Sequence, residues 1–304
     1  TMQGVVASEG QPTSPGDPIP TFVQDLLKEL RGGGYTLEAW LRFFNRSWQQ
    51  SLADVRRSPA LSASLVRQST LLEALALAAV LWQRRRSDAR DTIRQARFVT
   101  TLVMLQQAYL ALHLGMAQTE HAAPRFASLG SANFLTSLRG VCASLLLTVS
   151  GSDLPLYRLL VAVGGSTDAL DGAVARCLGA ESRLGQMLDP AADVCFYSVA
   201  VATAVRRNAL PGWFGWLVLT RYLVPTGAGF YRYFRWSRTL EATHTVWGKA
   251  AGALLTLLVA LGSVRPRTAR ALCVPASGLL LAAVALQCRR ILRPGSEPAA
   301  TRPE

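Results

Sequence analysis

The strongest constraint on this chain is the layout of its charge. Long apolar runs alternate with short arginine-bearing breaks, so half of the 304 residues are hydrophobic while the formal charge is +13. Mean hydropathy is +0.22, high enough to exclude disorder, and the basic balance excludes an ordinary acidic soluble enzyme. Only 17% of residues are charged, and they gather between the apolar runs. That is the pattern of a polytopic membrane protein, with basic residues in loops and at segment ends. Nucleic acid is the usual partner of a basic chain, but no basic helix here is interleaved with aromatics, so no nucleic-acid partner is expected. The basic residues are 30 Arg against only Lys28 and Lys249, which points to a GC-rich, bacterial coding sequence.

After Ser131 six apolar segments follow, at about 134–150, 154–175, 184–205, 210–229, 246–264 and 270–288. Each is long enough, or nearly so, for a hydrocarbon core of roughly 30 Å. Short connections predict an antiparallel bundle, so the expected fold is all-α: a six-helix membrane bundle over residues 131–290 with an extra N-terminal helical region. Placing the link between the second and third segments in the cytoplasm puts twelve basic residues there and five opposite. The positive-inside rule favours that orientation.

Residues 1–20, rich in Gly, Pro and Ser, read as a disordered leader without a cleavable signal, and 291–304 as a polar tail. The region 21–130 begins with amphipathic helical patterns: Phe22, Leu26, Leu27 and Leu30, then a Gly32-Gly33-Gly34 break, then Trp40, Leu41, Phe43, Phe44 and Trp48. They are too polar to span and are expected to lie against the membrane or the core. Apolar runs at 70–83 and 98–117 suit either a span or a helix packed on protein. Because Arg84 to Arg97 would fall outside if both spanned, the charge rule leans toward a non-spanning N-terminal region. The five cysteines and three histidines have no ligand spacing, which argues against disulfides and zinc.

The chemistry sits where lipid should forbid it. Only nine acidic residues follow His121, and four are Asp168, Asp171, Asp189 and Asp193. The first two are three apart and the last two four apart, so each pair shares a helix face. The short link between their segments folds the pairs together. Four ionised carboxylates would repel one another unless a cation intervened, and hard divalent cations with oxygen ligands are the natural solution. Two such metals are a standard means of stabilising a phosphoryl or pyrophosphoryl centre under attack. The plainer reading, four helix-capping aspartates in surface loops, leaves their neighbours unexplained. Gly172 and Gly185 allow a ligand close approach, and Ala175-Arg176 adds a small residue and a guanidinium fork suited to phosphate.

The string Asp168-x-x-Asp171-Gly172-x-x-Ala175-Arg176, eight residues, Gly185-x-x-x-Asp189-x-x-x-Asp193 resembles, at every fixed position, the signature of the CDP-alcohol phosphatidyltransferases. The resemblance covers about 131–290 and implies an integral membrane enzyme, often homodimeric, that needs Mg²⁺ or Mn²⁺. It implies transfer of a phosphatidyl group from CDP-diacylglycerol to an alcohol acceptor with release of CMP. By resemblance Asp168, Asp171, Asp189 and Asp193 form a two-metal site, with Asp193 also the general base. Gly172, Ala175, Arg176 and Gly185 line the CDP site. Asn133-x-x-Thr136-x-x-Arg139 resembles the opening of the first core helix, which faces the nucleotide; a plain N-cap and a snorkelling Arg is the simpler reading.

The acceptor is less defined. Asp189-Pro190-x-Ala192-Asp193 resembles the form found in phosphatidylglycerophosphate synthases and CDP-alcohol-type cardiolipin synthases, implying glycerol-3-phosphate or phosphatidylglycerol, with an inositol-type or other polyol as the alternative. Arg221, Arg232, Arg235, Arg238 and Lys249 are candidates for an anionic acceptor pocket, or simple topological anchors. Three positions depart from that subgroup: Tyr222 stands where Glu is common, Val194 where Lys is usual, and Gly252 where the fifth segment usually has Thr. A catalytically inactive scaffold and a cation transporter are the rival classes, and neither needs the glycines and Arg176 in register.

Overall fold

A computed structural model describes residues 21–83, 88–117, 128–149, 153–179, 182–236 and 246–292. The expected leader, nearly all of the expected tail, and Arg238 lie outside them. The described residues form ten α-helices and one short 3-10 turn, Leu114–Met116.

Six helices coincide with the six apolar segments of the core: α5 (Gly130–Leu146), α6 (Leu154–Cys177), α7 (Arg183–Arg206), α8 (Gly212–Trp236), α9 (Val246–Val264) and α10 (Pro266–Leu292). Their starts are written in local chemistry. The Asp153 carboxylate accepts from the Leu156 amide at 3.3 Å, with a proline in the first turn of α6. Ser182 Oγ accepts from the Gly185 amide at 3.0 Å and opens α7. Between α7 and α8, Asn208 turns the chain at φ +55° and its carbonyl accepts from Arg270 of α10.

Helix α5 packs on both α6 and α7, α10 packs on α8 and α9, and α9 closes the ring against α6 and α7. The buried core runs through all six: Leu145 of α5, Tyr157 of α6, Phe196 and Val201 of α7, Phe214 of α8, Leu255 of α9 and Leu280 of α10. Two glycines let α6 approach its neighbours. A Cβ on Gly164 would land on the Phe196 ring, and one on Gly165 would sit 2.6 Å from Thr256 Cγ2 of α9.

The N-terminal region is four helices: α1 (Thr21–Gly32), α2 (Leu37–Arg57), α3 (Pro59–Gln83) and α4 (Ala89–Leu112). The turn between α1 and α2 uses positive φ at Gly34 (+61°) and Tyr35 (+57°), and Thr36 caps α2 through the Ala39 amide. The run expected at 70–83 is only the second half of α3, which starts at Pro59. Among the described residues three helices, α3, α7 and α10, are long and apolar enough to cross a membrane. By length and composition α3 is thus a candidate span, against the lean toward a non-spanning N-terminal region that the charge rule gave. Its first half is interrupted by Ser62, Ser64, Arg67 and Gln68, which lower the local hydropathy, yet Ser64 and Gln68 bond at the start of α5. Ser64 Oγ accepts from the Leu129 amide at 3.1 Å, and Gln68 donates to Ser137 Oγ at 2.9 Å.

Likewise two glutamines of α4 bond to neighbouring helices. Gln106 donates to the Gly140 carbonyl at 2.9 Å, and Gln107 accepts from Ser69 at 3.1 Å. Leu72, Ala76 and Val80 of α3 and Val99 and Val103 of α4 are wholly buried in the same core as α5 to α10. All five cysteines are free; Cys142 and Cys273 are buried in that core, while Cys177 and Cys195 are exposed.

Candidate active site

Asp168 and Asp171 lie in the last turns of α6, Asp189 and Asp193 in the first turns of α7, and α5 packs against both helices. The i,i+3 and i,i+4 spacings aim each pair at α5, and α5 answers with Asn133, Thr136 and Arg139, also on one face. Arg139 is completely buried. Its Nη1 donates to Asp193 Oδ1 at 2.5 Å, its Nη2 donates to Asp171 Oδ2 and lies 3.6 Å from Asp168 Oδ1, and its Nε reaches Thr167 Oγ1 at 3.4 Å. Thr136 Oγ1 lies 2.8 Å from Asp189 Oδ1 and 3.1 Å from Asp171 Oδ2. A hydroxyl has one proton, so it donates to one carboxylate at a time. Two side chains of α5 thus touch all four aspartates.

The cluster has a floor and a mouth. The Asp171 side chain is 5% exposed, Asp193 29% and Asp168 38%, so the floor is Arg139 and Asp171 and the opening lies beside Asp168. Asn133 donates to the Leu129 carbonyl at 2.7 Å, and its Oδ1 would sit 3.4 Å from a Cβ on Gly185, which fixes the start of α5 against the start of α7. A Cβ on Gly172 would sit 3.2 Å from Arg176 Nη1, so the exposed Arg176 lies over the space that glycine leaves. Ala175 is one residue from Arg176 on the same helix end.

Arg139, expected from the resemblance to face the nucleotide, is buried among the four aspartates. It sits behind the carboxylates as their internal counter-charge. Among the described residues no three acidic, histidine or cysteine side chains converge closely enough to hold a metal ion as they stand. The guanidinium lies among the aspartates and draws them toward itself. The donor set still fits a hard dication: every donor is a carboxylate oxygen, and one guanidinium against four carboxylates leaves most of the negative charge uncompensated in a half-buried space.

Of the candidate acceptor residues, Arg221 and Arg232 are engaged with neighbouring helices. Arg221 is buried and donates to Gln287 Oε1 of α10 and to the Gly248 carbonyl of α9, both at 3.2 Å. Arg232 donates to the Ile291 carbonyl at 2.8 Å, and the Arg235 carbonyl accepts from Arg31. These contacts tie helices together. Lys249 lies in the first turn of α9.

Sequence reasoning missed a tyrosine relay. Tyr197, one turn beyond Asp193, donates to Asp168 Oδ2 at 3.2 Å and is 2.7 Å from Thr256 Oγ1. Its ring stacks on Tyr222 at 5.7 Å with 7° between planes. The i+4 spacing from Asp193 was the available signal. Tyr222, noted only as a departure, proves to be the stacking partner.

Among the described residues, an all-helical architecture with long apolar helices and carboxylates from two helices converging on a third defines a class, a membrane protein built around a polar site between helices. The profile of the CDP-alcohol phosphatidyltransferase family matches residues 129–288, from the start of α5 to near the end of α10, and the chain belongs to that family. It is 34% identical over 121 residues to a Drosophila melanogaster protein named as a cardiolipin synthase (CMP-forming), covering 37% of this chain and 38% of the relative. A Mycobacterium tuberculosis protein named as a cardiolipin synthase is 34% identical over 93 residues, 30% of this chain and 43% of its own. A CDP-diacylglycerol–serine O-phosphatidyltransferase from Mycobacterium tuberculosis is 39% identical over 66 residues, 21% of this chain and 23% of its own. The chain thus spans less than half the length of these relatives. No solved structure matches it.

Proposed function

We propose that the protein transfers a phosphatidyl group from CDP-diacylglycerol to an alcohol and releases CMP. The carrying observation is the convergence of Asp168, Asp171, Asp189 and Asp193 on Thr136 and Arg139, within the region that matches the family. Mg²⁺ or Mn²⁺ held by Asp168, Asp171 and Asp189, with Asp193 beside them, would offset the charge of the pyrophosphate and of the transition state. Asp193 takes the proton of the acceptor hydroxyl. The acceptor oxygen then bonds to the lipid-side phosphorus, the P–O bond to CMP breaks, and CMP leaves with the electron pair. Arg139 holds Asp193 oriented for that step. Gly172, Ala175, Arg176 and Gly185 line the nucleotide side, with Arg176 on its phosphates.

Phosphatidylglycerol is the favoured acceptor. The two matches to proteins named as cardiolipin synthases run longer than the match to a serine-specific enzyme. Serine is the second reading, supported by that shorter but more identical match. The engagement of Arg221 and Arg232 with α9 and α10 weakens the case for a preformed phosphate pocket that glycerol-3-phosphate would need.

On this reading α5 to α10 all span, and the aspartate end faces the cytoplasm. That end carries Arg176, Arg183, Arg232, Arg235, Arg289 and Arg290, and α1 and α2 add Lys28, Arg31, Arg56 and Arg57. Arg90, Arg94 and Arg97 of α4 join Arg158, Arg206, Arg207, Arg265, Arg267 and Arg270 at the far end, which narrows the margin. A bacterial cytoplasmic membrane and a homodimer complete the proposal.

The test is product identity. Purified protein is given CDP-diacylglycerol, Mn²⁺ and, separately, phosphatidylglycerol, glycerol-3-phosphate, serine and inositol, and the lipid products are weighed by mass spectrometry. Cardiolipin is expected from phosphatidylglycerol alone. A product from serine instead would favour the second reading, and none from any acceptor would favour a scaffold.

A further inference from the structure

We infer that α2 lies in the plane of the bilayer surface at the aspartate end, with one face sunk into the boundary between headgroups and acyl chains. Leu37, Leu41, Phe44, Trp48 and Leu52 recur at helical spacing and fall on one stripe of α2. They are 77%, 61%, 60%, 53% and 37% exposed, so the described residues leave most of the stripe uncovered. A contiguous row of large apolar side chains on a charged helix marks an interaction surface.

The other two flanks of α2 are accounted for. On one, Trp40 and Phe43 pack against Phe234 near the end of α8, with ring centroids 5.1 and 6.2 Å apart, and Ala39 and Asp54 are buried. On the other, Asn45 and Gln49 are exposed, and Arg42 and Arg46 pair with Glu29 of α1. The stripe lies between the protein-facing flank and the polar one, the arrangement of a helix lying along a membrane surface.

Position identifies lipid as the occupant. A single residue, Ser58, separates the end of α2 from the start of α3, and α3 is one of the helices long and apolar enough to cross a membrane. The end of α2 is therefore held at the bilayer boundary wherever α3 enters it. Contact with the end of α8 holds the other part of α2 at the same level. Arg56 and Arg57 are exposed at the corner and suit anionic headgroups. The inference rests on α3 spanning and not on the phosphatidyl-transfer reading.

The full chain, its five cysteines replaced by alanine, is reconstituted in nanodiscs of phosphatidylcholine and phosphatidylglycerol. A nitroxide is attached at Leu41→Cys or Phe44→Cys in the stripe, or at Gln49→Cys on the polar flank. All three positions are exposed, and each variant is first shown to elute as a single species. Stripe labels should collide with oxygen several times more often than with a water-soluble nickel complex, and the Gln49→Cys label should show the reverse. Equal access of nickel to stripe and flank would overturn the inference, since the stripe would face water. Stripe labels shielded from both reagents, with spin–spin broadening, would overturn it in favour of a second copy of the chain.

Discussion

Arg139 is the residue on which the site turns. A fully buried guanidinium is tolerable only because three aspartates surround it, and those aspartates are tolerable together partly because of it. Replacing Arg139 with Gln leaves Asp171 and Asp193 without their partner, which costs about 3–5 kcal/mol. Thermal unfolding in detergent should show that loss. Added Mn²⁺ should then raise the melting temperature more in the variant than in the native protein, because the cation replaces the missing charge. Equal rises would mean that Arg139 and metal do not share the aspartates. Thr136 acts on a smaller scale: Thr136→Val removes the donor shared by Asp171 and Asp189 and should cost about 1–3 kcal/mol, whereas Thr136→Ser should be close to native. Chemical denaturation of the two variants side by side checks this. The four aspartates were legible from spacing alone. The burial of Arg139 was not, because its place depends on how deeply α5 is wedged between α6 and α7, and no local pattern encodes that.

At the level of helices, the crossing of α6 with α7 and α9 depends on Gly164 and Gly165, where a side chain would meet Phe196 and Thr256. Gly165→Val should destabilise by about 1–3 kcal/mol through overpacking. It should also reduce activity, because it moves the helix that carries Asp168 and Asp171. A variant with native melting and native turnover would show that α6 has room to shift. Hydropathy located all six core helices because their outer faces are continuously apolar, as at Leu257 of α9 and Val274 of α10. Its reading of α3 as only a short apolar run is explained by Ser64 and Gln68, which look like breaks in the sequence and bond to the Leu129 amide and Ser137. The stacking of Tyr197 on Tyr222 was not legible for a related reason: each reads as an ordinary aromatic in an apolar run until the partner helix is known.

For the whole molecule, the family match begins at residue 129 but the buried core does not. Leu72, Val80, Val99 and Val103 fill the side of α5 that faces away from α6. A chain beginning at residue 128 should therefore expose that side and lose its cooperative melting transition, while one beginning at 59 should keep it. Calorimetry or a thermal-shift assay on both distinguishes a shared core from an appended domain. Orientation is open to a separate check through Cys177, exposed at the aspartate end of α6. In intact cells a membrane-impermeant maleimide should leave Cys177 unlabelled, and permeabilisation should expose it. Labelling before permeabilisation would place the aspartates on the outer face.

The most direct measurement of the central claim is CMP release from CDP-diacylglycerol in the presence of phosphatidylglycerol, by the native protein and by Asp193→Asn. The native protein should release CMP with Mg²⁺ or Mn²⁺ and stop when a chelator is added. Loss of the general base should slow release by about 10²–10⁴-fold while CDP-diacylglycerol still binds. Metal-independent release, or an Asp193→Asn variant as fast as the native protein, would contradict the assignment of these aspartates to phosphatidyl transfer.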